Sequence, residues 1–317
     1  MENSMKLISV VVPCYNEFDN LQNVYDRVTA VFENFPYQLE LLLVDDGSAD
    51  KSREKYDELV ALDERVRVVL MSRNFSGPEP ILFAGLKTAK GDAVVLLDAD
   101  LQDPPELIRD FAKKWEEGYS VVYGVRSKRE GSLVRRIGYT CFYRIIRYLS
   151  FVDFPVDAGH FSLLDRRVVD IIASLSEKDV FVRGLRAWVG FKQIGVEYNR
   201  PDREFGETTF SFFRYVRTAK DAIVNFSYKP LEYVSSIAIG SATLTAIAGF
   251  FYLYIAFTKD APRGFFTLLM AILILGTLQL VALGVIAEYL IRIFREVKAR
   301  PPYVIDKILE KKKGDRE

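Results

Sequence analysis

Residues 93–105 read Ala93-Val94-Val95-Leu96-Leu97-Asp98-Ala99-Asp100-Leu101-Gln102-Asp103-Pro104-Pro105. The first five are apolar, branched and few, which is the pattern of a buried strand. The acids therefore stand where a strand ends and a loop begins. In open α/β sheets, ligands bind at that carboxyl edge. Side chains at i and i+2 of an extended chain share a face. Asp98 and Asp100 are expected to point one way, with Gln102 following if the chain stays extended. Two carboxylates and an amide oxygen are hard donors that suit Mg²⁺ or Mn²⁺, which keep positions open for phosphate oxygens. A plainer reading is an acidic turn before a helix, with Pro104-Pro105-Glu106 as ordinary helix-start chemistry.

Four more strands of the same kind surround it. Leu7–Val12 is the first, ended by Pro13-Cys14-Tyr15-Asn16-Glu17. Leu39–Val44 is the second, closed by Asp45-Asp46-Gly47-Ser48, and Val66–Met71 is the third, closed by Ser72-Arg73-Asn74-Phe75. Ser120–Tyr123 follows the acid cluster. Helical stretches are expected over 20–32, 50–62, 81–89 and 105–117. Such alternation, with nearly continuous apolar strands, predicts a doubly wound parallel sheet covered on both faces. The strand ends gather an aromatic ring and polar groups at Tyr15, Asn16 and Glu17, and acceptors for ribose or base at Asp45 and Asp46. Singly each has a dull explanation, since Asp46-Gly47-Ser48 also reads as a turn. No glycine-rich phosphate loop occurs, which disfavours a dinucleotide enzyme or an NTPase.

Over 317 residues, 43 Lys and Arg balance 43 Asp and Glu, so no global attraction to nucleic acid is implied. The two cysteines, Cys14 and Cys141, lack metal spacing, and the single His160 excludes a multi-histidine site. No signal peptide is read at the start, where residues 6–13 form the first strand. Tyr233–Thr258 and Phe265–Ala287 contain no Asp, Glu, Lys or Arg. Each exceeds the roughly 20 apolar residues that span a bilayer. Arg292, Arg295, Lys298 and Arg300, then Lys311–Lys313, mark the cytoplasmic side. The expected organisation is a cytosolic domain over 1–230, two transmembrane helices over 231–290 and a basic cytosolic tail over 291–317. That makes a multi-pass protein of the inner, cytoplasmic membrane.

Val12-Pro13-Cys14-Tyr15-Asn16-Glu17, Val44-Asp45-Asp46-Gly47-Ser48 and Asp98 to Pro105, in that order, resemble family 2 glycosyltransferases. The long third string and the two spans resemble the polyisoprenyl-phosphate branch, which includes bactoprenol glucosyltransferases and dolichol-phosphate mannose synthase. The resemblance implies a GT-A (Rossmann-like, mostly parallel) catalytic domain followed by the two spans. It implies that Pro13, Tyr15, Asn16, Glu17, Asp46 and Asp98 hold a nucleotide sugar, and that Asp98, Asp100 and Gln102 hold Mg²⁺ or Mn²⁺ and the diphosphate. It implies UDP-glucose as donor and undecaprenyl phosphate as acceptor, with GDP-mannose as the alternative donor. Homo-oligomerisation is left open.

The middle third suits an interfacial acceptor site. Residues 133–149 set Arg135, Arg136, Arg144 and Arg147 among apolar side chains, and 210–226 is a second candidate for lying at the bilayer surface. Arg126, Arg200 and Arg203 are candidates for a lipid phosphate, which guanidinium groups grip by paired hydrogen bonds. Arg200, Arg203 and Gly206 resemble the family's arginine string, with Thr208 and Thr209 in place of its Ser-Lys; Lys220 or Lys229 is a substitute cation. The resemblance gives Asp157 a catalytic place near the acceptor, as base or positioning group, beside Asp98 and Asp100. His160 stands where relatives often carry a second acid, and Ser76–Pro80 departs from the usual loop. The implied step is a single inverting displacement by a phosphate oxygen, whose second pKa of about 6 leaves it ionised near neutrality. A processive polysaccharide synthase needs more spans and a Gln-x-x-Arg-Trp-like string. A membrane-tethered nucleotide-binding scaffold without turnover is the third reading.

Overall fold

The structure is a computed structural model that describes residues 5–126, 158–199, 227, 229–258 and 264–311. These fall into two compact units: a sheet with its helices, which the segment after residue 299 rejoins, and a pair of long helices.

The sheet begins with β1 (Leu7–Cys14), α1 (Phe18–Phe32), β2 (Gln38–Asp45), α2 (Ser52–Leu62), β3 (Val66–Met71), α3 (Pro78–Thr88) and β4 (Ala93–Leu96). β1 pairs in parallel with both β2 and β4, and β2 with β3. The chain thus winds outward from β1 to β3, then crosses back to place β4 on the other side of β1. That reversal is a topological switch point between β1 and β4, the place where open α/β sheets bind ligands. Val10, Val11 and Val12 are all fully buried, as expected of a strand covered on both faces. α3 starts at Pro78, three residues before its expected first turn, because a proline lacking its N–H is tolerated at a helix start.

Beyond β4 the chain makes a short 3₁₀ turn (Pro105–Leu107), α4 (Ile108–Glu116) and β5 (Val121–Arg126). It then contributes β6 (Ala158–Asp165), α5 (Arg166–Ser174), α6 (Val182–Trp188) and β7 (Gln193–Tyr198). β6 runs antiparallel between β4 and β5, and β7 pairs in parallel with β5. The sheet is mixed and mostly parallel, as the family resemblance implies, in the order β7-β5-β6-β4-β1-β2-β3-β8. Phe161 on β6 packs against Phe111 of α4 at 4.7 Å between ring centres. Fully burying such a ring stabilises by about 1.5–3 kcal/mol.

The second unit holds α7 (Lys229–Thr258) and α8 (Phe265–Lys298). Segments Lys229–Phe251 and Ile274–Lys298 are long and apolar enough to cross a membrane. Ile239, Phe250, Leu280 and Ile293 are exposed. After α8, the segment assigned to a basic tail supplies β8 (Ile305–Leu309), antiparallel to β3 at the sheet edge. Arg67 on β3 fastens it, donating from Nε to Glu310 at 2.8 Å and from Nη1 to buried Glu40.

Candidate active site

β1 ends in a loop tied to the loop after β2. Asn16 takes a positive φ of 54°, which asparagine tolerates better than most residues. Its N–H donates to Ser48 Oγ and its Oδ1 accepts the Ala49 N–H, both at 2.9 Å. The Phe18 N–H donates to Asp50 at 3.2 Å, and Glu17 accepts Asn20 Nδ2 at 2.6 Å. The tie leaves Tyr15 47 % exposed, its ring available for stacking. Pro13 pairs with Val44 near the end of the β1–β2 ladder, so it shapes the loop's exit.

Asp45 and Asp46 do different work. Asp45 is buried: Oδ1 accepts the Tyr56 hydroxyl at 3.0 Å and Oδ2 accepts the Gly47 and Ser48 N–H groups at 3.1 Å. Its expected role as an acceptor for ribose or base is therefore taken by the fold. Asp46 accepts the Phe75 N–H at 2.8 Å through Oδ1, which holds the loop after β3 against this edge. Burial pushes the Asp46 carboxyl up, the Phe75 N–H opposes it and the Asp45 charge adds to it. Gly47, at φ 71°, lets these loops meet: a Cβ there would stand 2.8 Å from the Arg73 carbonyl carbon.

The chain after β4 does not stay extended. It turns through Ala99-Asp100, and Leu101 takes a φ of 53°. Asp100 Oδ1 accepts the Gln102 N–H at 3.2 Å, an Asx-type closure. A turn, rather than strand alternation, sets the direction of Asp100 and Gln102. Asp98 and Asp100 are half-buried and follow buried Leu97 directly. Among the described residues no three His, Cys, Asp or Glu side chains gather into a metal site. Two carboxylates and an amide oxygen instead fit a hard divalent ion that completes its sphere with phosphate oxygens and water.

Asp103, closing the same string, is fully buried. It accepts the hydroxyl of Tyr198, and Arg126 Nη2 lies 3.8 Å from its Oδ1. Arg126 Nε reaches the Tyr198 hydroxyl at 3.4 Å. Burial works against the Arg126 charge, but Tyr198, Asp103 and Asp98 outweigh it and hold the guanidinium firmly protonated. Arg126 thus stands on the acid edge, as its strand-end position predicts. Asp103 and Tyr198 were given no role by sequence, because their meeting depends on β5–β7 pairing. Glu79, His160, Arg183 and Arg186 also converge on this side. Asp157, Arg200, Arg203, Lys220 and the stretches 133–149 and 210–226 lie outside the described residues.

A groove of about 360 Å³ lined by Phe35, Tyr37, Arg109 and Glu116 lies towards the opposite edge, at the start of β2. It contains none of the residues above.

Comparison with known proteins matches residues 9–172 to the model of Glycosyl transferase family 2. The chain is similar to the uncharacterized glycosyltransferase YkcC of Bacillus subtilis, at 42 % identity over 94 % of this chain and 93 % of that one. It is also similar to the SfII prophage-derived bactoprenol glucosyl transferase of Shigella flexneri, at 37 % identity over 95 % and 97 %. A looser likeness, 18 % identical with a TM-score of 0.45 over 69 % of this chain and 78 % of that one, is to Mycobacterium tuberculosis glucosyl-3-phosphoglycerate synthase, solved with Mn²⁺, UDP-glucose and phosphoglyceric acid. A three-layer α/β sheet with its acids at the switch point, and relatives matched along nearly the whole chain, lead to one conclusion: the protein is a glycosyltransferase and belongs to glycosyl transferase family 2.

Proposed function

We propose that the protein transfers glucose from UDP-glucose to a polyprenyl phosphate, with inversion, on the cytosolic face of the inner membrane. The observation that carries this reading is the near-full-length similarity to a bactoprenol glucosyl transferase, which extends through the two apolar helices. Helices that expose Ile, Leu and Phe so widely need an apolar phase around them, and a bilayer supplies one. The acceptor of such a reaction is itself a lipid. In this reading residues 1–230 form the cytosolic catalytic domain and 231–290 the membrane anchor.

Tyr15 stacks on the base, while Asn16, Glu17 and Asp46 keep the loops of β1, β2 and β3 in the shape that receives the nucleotide. Asp98, Asp100 and Gln102 hold Mg²⁺ or Mn²⁺, which when bound neutralises the diphosphate as negative charge develops on it. The acceptor phosphate needs little help from a base, because its second proton is largely gone at neutral pH. Its oxygen forms a bond to the anomeric carbon as the bond to the diphosphate oxygen breaks. Nucleoside diphosphate leaves with that electron pair. Asp157 then orients the acceptor or a sugar hydroxyl, and Arg126, Arg200 and Arg203 grip the lipid phosphate.

The test is the purified full-length protein in detergent with radiolabelled UDP-glucose, Mn²⁺ and a short polyprenyl phosphate. The expected product is a lipid-linked monosaccharide. A polymer, or no lipid product from any of several nucleotide sugars, would overturn the reading.

A further inference from the structure

Arg183 and Arg186 stand one turn apart on α6, beside His160 of β6 and Glu79 of α3. Arg186 is only 2 % exposed. Its Nη1 donates to the Gly159 carbonyl at 3.2 Å, and its guanidinium lies over the Tyr123 ring at 5.0 Å. On the other side of Gly159 is Arg126: a Cβ at that glycine would meet Arg126 Nη2 at 2.9 Å. His160 Nε2 is 3.8 Å from Glu79 Oε1, and the other Glu79 oxygen accepts the Val182 N–H at 2.7 Å. Burial first, then the charges of Arg183, Arg186 and Arg126, hold the imidazole neutral.

The cluster holds more donors than acceptors. His160 Nδ1, Arg183 Nε and Arg186 Nε are buried and meet no hydrogen-bond partner among the described residues. Nor does any described carboxylate come within 4 Å of Arg183 or Arg186. Leaving the two guanidinium N–H donors unmet is costly, and so is burying a net positive charge that Glu79 offsets only in part. An oxyanion carries the acceptors and the negative charge that the described residues do not supply to this cluster.

Its place in the sheet says which oxyanion. The last β4–β6 pair is Leu96 with Ser162, and two residues further along the strands lie Asp98 and His160. The order β5-β6-β4-β1-β2 then puts the nucleotide ends of β1 and β2 on one flank of Asp98 and this cluster on the other. We propose that Arg183, Arg186 and His160 form an oxyanion subsite on the acceptor flank, across Gly159 from Arg126, that shares with Arg126 the phosphate monoester of the acceptor. The assignment of that oxyanion rests on the transfer reaction proposed above; the subsite itself rests on the cluster.

The test uses the full-length protein in detergent, with Arg183→Gln and the near-isosteric Arg186→Met. Inorganic phosphate is titrated by calorimetry, and steady-state kinetics are measured with a short polyprenyl phosphate. Wild type binds phosphate saturably and phosphate competes with the lipid. Each variant raises the lipid-phosphate KM by about tenfold or more, the scale of one lost charged hydrogen bond, leaves the UDP-glucose KM unchanged and does not lower the melting temperature. If Arg186→Met does not fold, Arg183→Gln decides. An unaltered lipid-phosphate KM in folded Arg183→Gln overturns the proposal, as does phosphate binding that never competes with the lipid. Should wild type transfer no sugar, the reaction falls, while the calorimetry still reads the subsite: absence of saturable phosphate binding in wild type would overturn it.

Discussion

Asp46 has a carboxyl that burial pushes up from its ordinary value of 3.8. A folded pKa raised in this way contributes stability only while the group is protonated, and that contribution is lost as pH rises through the raised value. At neutral pH the charged Asp46 is therefore a liability to the fold, and such charges are kept at functional sites. Asp46→Asn retains an oxygen to accept the Phe75 N–H. The expected result is an unchanged or higher melting temperature with weaker nucleotide binding; a clear fall in melting temperature would make Asp46 a structural residue. Asp100→Ala is expected to abolish transfer together with Mn²⁺-dependent nucleotide binding, read by calorimetry with and without the ion. Asp165 behaves in the opposite sense to Asp46. Burial would raise it, but hydrogen bonds from Trp115 and Arg167 outweigh burial and hold it low. Its contribution is present above about pH 4 and is lost as pH falls through the depressed value. In Asp165→Asn, the loss of stability between pH 7 and pH 3 should shrink. At this scale the strand-end place of Asp98 and Asp100 was legible, since the apolar run before them ends at Leu97. Tyr198 was not: its partner Arg126 is 72 residues away, and only strand pairing joins them.

Strands and helices that alternate along the first third were readable because both faces of each strand are apolar. β6 escaped because Ala158–Asp165 opens with Ala158, Gly159 and His160, which carry little strand preference. Its antiparallel insertion is a long-range event that local pattern does not encode. β8 escaped for a related reason. Ile305-Asp306-Lys307-Ile308-Leu309 is short and half charged, as an edge strand should be, and it reads as tail. What holds it is the Arg67 bridge between Glu40 and Glu310. Glu40 is buried and also accepts the Ser9 hydroxyl and the Lys90 N–H, whereas the Glu310 side chain is half exposed. Arg67→Ala leaves Glu40 buried and uncompensated, at an expected cost of about 3–5 kcal/mol. Glu310→Gln should cost about 1 kcal/mol or less. Chemical denaturation of the two variants side by side distinguishes a true buried bridge from a surface pair; equal effects would refute it.

The whole molecule joins a sheet unit with a buried apolar core to two helices with exposed apolar side chains. The two apolar helices were plain from composition, since no charged residue interrupts Tyr233–Thr258 or Phe265–Ala287. The helices begin or end further out than those apolar cores, at Lys229 and Lys298. The full chain is expected to stay with the membrane pellet after alkaline carbonate washing; release into the supernatant would rule out a spanning pair. β8 follows α8 in the chain, yet completes the sheet at β3. During synthesis the flank of β3 must therefore wait, unpaired, until both apolar helices have left the ribosome. The last step of sheet assembly therefore follows synthesis of the apolar helices, and a shortened protein cut before the helices would emerge with a sticky, open border.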